Sequence, residues 1–319
     1  MMGKPLDLVA VGEVMLELIS EEPLRNLPQL GVRVAGDTFN VAATARRLGS
    51  RTGYVGLVGD DPSGEAVVEG ARALGVDTSG LRRVPGRTGM YLVSTDPKGE
   101  RSFTYYRNDS VAKRLDSKAV ADSPATSARA VHVSGISMAL SPSCRRAALA
   151  ALRSAAVRGA LTSYDVNFRP ALVDRAAAVR DASVAAGLGG LLAVGCEEAA
   201  ALAGVSSADG AVEWGWSLGA EDVLVSEGRE GVTLGVGGPG RERRVLSVRA
   251  PEVQVVDTTG AGDVLVGAFL HGRLQGWDAL HCLRFACAAA SLSVKGRGAL
   301  GALPSSEEVE RILPKVRER

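Results

Sequence analysis

Short apolar runs and helical stripes alternate along most of the chain. Residues 6–12 (LDLVAVG) form an apolar run that predicts a buried strand, and residues 40–48 (NVAATARRL) carry small and apolar side chains at helical spacing. Gly49 ends that helix, and TGYVGLVG at 52–59 reads as a second strand. The same rhythm predicts helices over 64–74, 143–158, 175–187 and 197–203, interleaved with strands over 130–136 (AVHVSGI), 161–166 and 189–194. Strands that alternate with helices imply a mainly parallel sheet covered on both faces.

Two stretches break the rhythm. These are residues 14–34 and residues 88–107, and in the second of them TGMYLVST and ERSFTYYR flank the turn residues Asp96-Pro97-Lys98-Gly99, a hairpin signal. Strands inserted between helices have no place in the main sheet. Lid strands from about 14–34 and 88–110 are therefore expected to form a small separate sheet able to cover a site. A further hairpin is expected over 231–248, then a strand at 253–257 (VQVVD) and a turn-to-helix segment at 257–275. No linker or repeat divides the 319 residues, so residues 1–319 read as one α/β domain, doubly wound, with a small β lid.

Composition supports a buried core, with 46% hydrophobic and 23% charged residues. The 37 basic and 36 acidic side chains leave a net charge of +1, no global field for nucleic acid or an anionic membrane. Cys144, Cys196, Cys282 and Cys287 lack CxxC spacing and the three histidines are scattered, which argues against a disulfide framework or a zinc site. Asp7, Glu13 and Glu17 interrupt the N-terminal apolar stretch, unlike a signal peptide or membrane span, so cytoplasmic residence is expected.

The chemistry concentrates in Asp257-Thr258-Thr259-Gly260-Ala261-Gly262-Asp263, placed before an apolar helical pattern. Small residues at a helix start let unpaired N–H groups and the positive dipole end converge on a phosphate. Asp263 at the same turn is placed either to accept a proton from a substrate hydroxyl or simply to cap the helix, and the heptapeptide by itself favours neither. Gly235, Gly237 and Gly240 spell GxGxxG, but Pro239 and the run Arg241-Glu242-Arg243-Arg244 point to a hairpin, and the dinucleotide fingerprint needs strand, turn and helix together. No GxxxxGK[ST] occurs.

DTTGAGD, Gly36-Asp37-Thr38-Phe39-Asn40 and VGDDPSGEAVVEGARALGVDTSG together resemble the ribokinase-like, PfkB-type carbohydrate kinases over nearly the whole chain. The resemblance implies a ribokinase-like doubly wound sheet with a β lid, ATP as phosphoryl donor and Mg2+. It makes Asp263 the catalytic base, with Gly260, Ala261 and Gly262 as the anion hole. Within the family, residues 89–110, HVSGI and Asp165-Val166-Asn167-Phe168-Arg169 look most like 2-keto-3-deoxygluconate kinases. By carry-over, Tyr91, Tyr105 and Arg107 reach a sugar acid from the lid, Gly36 and Asn40 line its pocket, and Arg169 lies near the substrate and the transferring phosphate. Ser226 and Gly228 match nucleotide-lining positions, Glu198 matches the acidic position associated with magnesium, and Asp257 and Thr259 stand where potassium often binds.

Tyr105 and Arg107 are two apart on an expected strand and so share a face. An Arg fork pairs with a carboxylate in a way that a neutral sugar does not offer. A solvated lid charge and ordinary cross-strand packing are the plainer alternatives. The chain departs from the family pattern at Ala35, in place of the first Gly of a pair, at Gly195, where Asn or Ser is frequent, and at Cys287, where Asn is frequent near the adenine. No acidic residue follows Arg297-Gly298, as one does in some ketodeoxygluconate kinases. A fructokinase or other sibling kinase, and a binding regulator without turnover, are the alternative functions. The apolar face of a lid favours a homo-oligomer.

Overall fold

Leu8–Val11 forms strand β1, where Val9 and Val11 face one side and Leu8 and Ala10 the other, all fully buried. A strand apolar on both faces belongs in the middle of a sheet covered twice. The computed structural model describes residues 5–20, 22–95, 101–238 and 240–319. After β1 come β2 (Met15–Ile19), β3 (Gly31–Ala35), α1 (Asp37–Arg47), β4 (Thr52–Gly59), α2 (Pro62–Ala73), β5 (Asp77–Val84), β6 (Met90–Thr95) and β7 (Arg101–Tyr106). The chain continues through α3 (Ser117–Ala121), β8 (Ala130–Ser134), α4 (Gly135–Ala139), α5 (Pro142–Val157), β9 (Leu161–Asp165), α6 (Arg175–Ala186), β10 (Leu191–Gly195), α7 (Cys196–Ala203) and α8 (Ala208–Ser217). It closes with β11 (Asp222–Ser226), β12 (Val232–Val236), β13 (Arg244–Arg249), α9 (Ala261–Gln275), α10 (Ala279–Ser293), α11 (Ser306–Ile312) and β14 (Arg317–Glu318).

Among the described residues the main sheet has ten strands in the order β14-β13-β12-β11-β10-β9-β8-β1-β4-β5. Neighbours from β11 to β5 are all parallel, and the β12, β13 and β14 edge is antiparallel. Helices α3, α5, α6, α7 and α8 cover one face, and α1, α2, α9, α10 and α11 the other. The expected α/β layering is therefore present.

Among the described residues the expected lid is a separate four-stranded sheet in the order β3-β2-β6-β7. Its hairpin pairs Tyr91 with Tyr105, while the turn residues 96–99 lie outside the described residues. The GxGxxG stretch falls on antiparallel β12 and the connection to β13, with no helix after it. No helix of the described residues is long and apolar enough to cross a membrane.

Three expectations change in ways that bear on the site. Residues 253–257 are not a strand: the N–H groups of Val256 and Asp257 both donate to the Val294 carbonyl at the end of α10, so the segment is pinned to a helix end instead of a ladder. The strand expected over 130–136 stops at Ser134, whose hydroxyl caps α4 by accepting from the Ser137 N–H at 3.1 Å. Helix α1 starts at Asp37, three residues before Asn40, because Gly36 serves as its N-cap.

Candidate active site

Parallel strands put their C-terminal ends on one edge of the sheet, the usual place for a ligand in an open α/β fold. Here Glu13, Ile136, Asp165, Gly195 and Ser226, at or just beyond the ends of β1, β8, β9, β10 and β11, line a cleft of about 1060 Å³. The lid contributes Tyr91, Phe103, Tyr105 and Arg107, and the start of α9 contributes Gly260, Gly262 and Asp263.

Asp263 is the third residue of α9 and is half-buried on the cleft wall. Asn40 Nδ2 donates to its Oδ2 at 2.7 Å, and Asn40 Oδ1 accepts from the Gly36 N–H at 3.4 Å. One amide thus ties the starts of α1 and α9 together. Withdrawal from water, and then the Asp37 charge, push the Asp263 carboxyl well above the usual carboxylate range, while Asn40 and Arg169 oppose the rise. A carboxylate in that position is a stronger base than one in water.

Gly260 holds φ +76°, and a Cβ there would stand 2.9 Å from Ala299 Cα. Only glycine meets both demands without strain. The Ala261 N–H donates to the Thr258 carbonyl at 3.1 Å, and Ala261 is not among the cleft-lining residues. Of the expected anion hole, Gly260 and Gly262 therefore face the cleft. Asp257 lies just before this turn, with Oδ1 accepting from the Thr259 N–H at 3.0 Å and hydroxyl at 2.8 Å, and Oδ2 accepting from the Gly298 N–H at 2.6 Å.

From the lid, the Arg107 guanidinium lies over the Tyr105 ring, 4.8 Å from its centroid, and Nη1 donates to Glu13 Oε2 at 2.8 Å. Both partners of this pair are buried. Tyr91 stacks beside Tyr105 at 5.5 Å, and its hydroxyl donates to Glu17 Oε1 at 2.8 Å. Burial first, and then the Glu17 charge, raise the Tyr91 phenol above its ordinary value.

Arg169 is half-exposed, donates to the Phe168 carbonyl at 2.9 Å and approaches Glu198 Oε1 at 3.5 Å. Glu198 accepts from the Phe168 N–H at 2.7 Å and from the Gly195 N–H at 2.9 Å, closing the first turn of α7. Ser226 and Gly228, the latter at φ +59°, line the cleft with Glu227. Cys287 is buried in α10 outside the cleft lining, its thiol pushed up to about 12 by burial.

Sequence reasoning passed over two acids that the fold brings here. Asp37 accepts from Asn167 Nδ2 at 3.3 Å, with Asn167 in the left-handed region at φ +37°. Asp165 ends β9, and withdrawal from water, then Glu198 and Asp263, raise its carboxyl well above the usual range. Both lie inside motifs already singled out, GDTFN and DVNFR, so the signal was position within a motif. Glu13 carried no such mark.

No group of three His, Cys, Asp or Glu side chains among the described residues is arranged to hold a metal ion. Magnesium needs no such cage when phosphates accompany it, since it keeps several waters and takes one or two carboxylates. Asp165 and Glu198 line the cleft and fit that lesser requirement.

Comparison with known proteins agrees with this fold. The model of the pfkB family carbohydrate kinases matches residues 6–306. The chain is 35% identical to the 2-dehydro-3-deoxygluconokinase of Thermoproteus tenax, over 97% of this chain and 94% of that one. It is 30% identical to the 2-dehydro-3-deoxygluconokinase of Bacillus subtilis, over 97% and 95%. The crystal structure of a fructokinase with bound ATP from Xylella fastidiosa superposes with a TM-score of 0.83 at 26% identity, covering 97% of this chain and 98% of that one. A doubly wound sheet, a β lid, an acid at the start of α9 and a family match spanning almost the whole length converge on one conclusion: the chain belongs to the PfkB family of carbohydrate kinases.

Proposed function

We propose that this carbohydrate kinase transfers the γ-phosphoryl group of ATP to the 6-hydroxyl of 2-keto-3-deoxygluconate. The observation that carries the reading is the cleft end formed by Tyr91, Tyr105 and Arg107, which offers a guanidinium to a sugar carboxylate while Asp263 lines the same cleft. The 35% identity to a 2-dehydro-3-deoxygluconokinase supports the choice of acid.

Asp263 takes the hydroxyl proton as the oxygen attacks phosphorus in line, and its raised pKa suits that task. The N–H groups at the Gly260 and Gly262 turn receive the charge that spreads over the equatorial oxygens. Asn40 orients the Asp263 carboxylate through its 2.7 Å hydrogen bond. Ser226 and Gly228 hold the nucleotide, and Arg169 lies by the transferring group. Asp165 and Glu198 would hold magnesium, which when bound with ATP would offset phosphate charge. Closure of the lid excludes water and with it wasteful hydrolysis of ATP.

A second reading, phosphorylation of a neutral ketose, is favoured by the Glu13–Arg107 pair, since that guanidinium already has a counter-charge. ADP release with 2-keto-3-deoxygluconate, gluconate, fructose, ribose or no sugar decides between them. Preference for the keto acid upholds the proposal. Activity on fructose alone replaces it with the second reading, and no ADP above background with any sugar favours a binding regulator.

A further inference from the structure

The nucleotide side of the cleft holds a charge that the proposed reaction does not use. Glu227 stands between Ser226 and Gly228, lines the cleft and keeps only 15% of its side chain exposed. A carboxylate beside a polyphosphate repels it, and the repulsion grows as water is excluded. The fold supplies a counter-charge from a distant part of the chain. Arg319, just after β14, donates from Nη2 to Glu227 Oε1, and the same nitrogen lies 3.1 Å from Thr233 Oγ1. Thr233 in turn donates to Glu227 Oε1 at 2.7 Å.

The arrangement is built, since the Arg319 N–H donates to the Ser247 carbonyl at 2.9 Å and so extends the pairing of β14 with β13. The Arg319 side chain is 25% exposed. Its charge reaches the cleft wall: burial and then Glu227 raise the thiol of cleft-lining Cys196, and Arg319 opposes them.

We propose that Arg319 is a positioning residue for the nucleotide, which pins and neutralises Glu227 so that the turn from Ser226 to Gly228 meets phosphate without a repelling carboxylate. The inference rests on the reading that ATP occupies this side of the cleft. Removing Arg319 leaves Glu227 uncompensated, and removing both charges restores a neutral turn.

The test is calorimetric binding of magnesium ADP, without sugar, to the full chain and its variants, with thermal unfolding recorded on each. Arg319→Ala is expected to bind ADP about tenfold more weakly, the scale of one lost charge-assisted hydrogen bond. Arg319→Lys keeps the charge and should retain most of the affinity. The double variant Glu227→Gln/Arg319→Ala should recover to within about twofold of wild type, a rescue that a purely structural role for Arg319 does not produce. Unchanged affinity in Arg319→Ala, or a double variant as weak as the single one, would overturn the inference. Wild-type protein that binds no ADP would instead sink the nucleotide assignment beneath it.

Discussion

As the proposed base, Asp263 answers two opposing demands. It must be ionised to accept a proton, yet withdrawal from water and the neighbouring Asp37 both favour its neutral form. The acid limb of kcat/KM against pH should therefore fall above the ordinary aspartate value of about 3.9. Asp37→Asn removes the like charge and should move that limb to lower pH; a limb that stays in place would show that another group titrates there. Asp263→Asn should retain ADP binding and lose on the order of 10²- to 10⁴-fold in kcat, the usual contribution of a positioned base. Near-normal turnover would remove Asp263 from the chemistry. Arg107→Ala should raise KM for the keto acid by about tenfold to hundredfold, as expected for loss of a charged hydrogen bond worth roughly 1.5–3 kcal/mol. The same substitution tested with fructose reveals whether Arg107 reads a carboxylate at all.

At the scale of elements, the site depends on how α1 and α9 meet. A Cβ on Gly267 would stand 2.7 Å from the Val41 carbonyl, so the bare glycine lets the two helices approach closely enough for Asn40 to reach Asp263. The turn before α9 makes a different demand. Gly260→Ala places a side chain at φ +76° against Ala299 and should cost about 1–2 kcal/mol for the left-handed backbone alone, read as a lower unfolding temperature together with lost turnover. Gly262 offers the contrast, because nothing lies within 4 Å of its Cβ position and it sits in a helix. Gly262→Ala should hold or raise stability, by up to about 1 kcal/mol, yet lower kcat by crowding the phosphate. If both variants lose stability alike, the distinction drawn between the two glycines is wrong. The lid strands and the β-α-β rhythm were legible in the sequence because period two and period 3.6 are local properties. The 253–257 segment was not, since its β-branched residues fit a strand and only the distant Val294 carbonyl redirects it.

Across the whole molecule, the cleft gathers acids at a cost to stability. The carboxyls of Asp37, Asp165 and Asp263 are all raised, so the folded state holds protons that the unfolded chain releases. Their stabilising protonation is complete below the unfolded pKa of about 4 and is lost as pH rises through the folded values. Asp165→Asn should therefore unfold at a higher temperature than wild type at about pH 8, with the gap narrowing as pH falls toward about 4. A gap independent of pH would mean that packing, not charge, explains the change. Such a trade of stability for reactivity is common at active sites.

Some of this protein was decided within single stretches of its sequence. Periodicity placed most strands and helices, and the Gly260 to Asp263 turn stood out as the proposed phosphate end, because backbone geometry at a tight turn is dictated by the residues that form it. Partnerships across the chain were decided elsewhere. That Asn40 orients Asp263, that Glu13 holds Arg107 and that Arg319 reaches Glu227 depend on side chains brought together from up to 223 residues apart. Charge interactions act through space and fall off with distance, not with sequence separation, so only the folded arrangement could show which acids share the cleft and which base meets each of them.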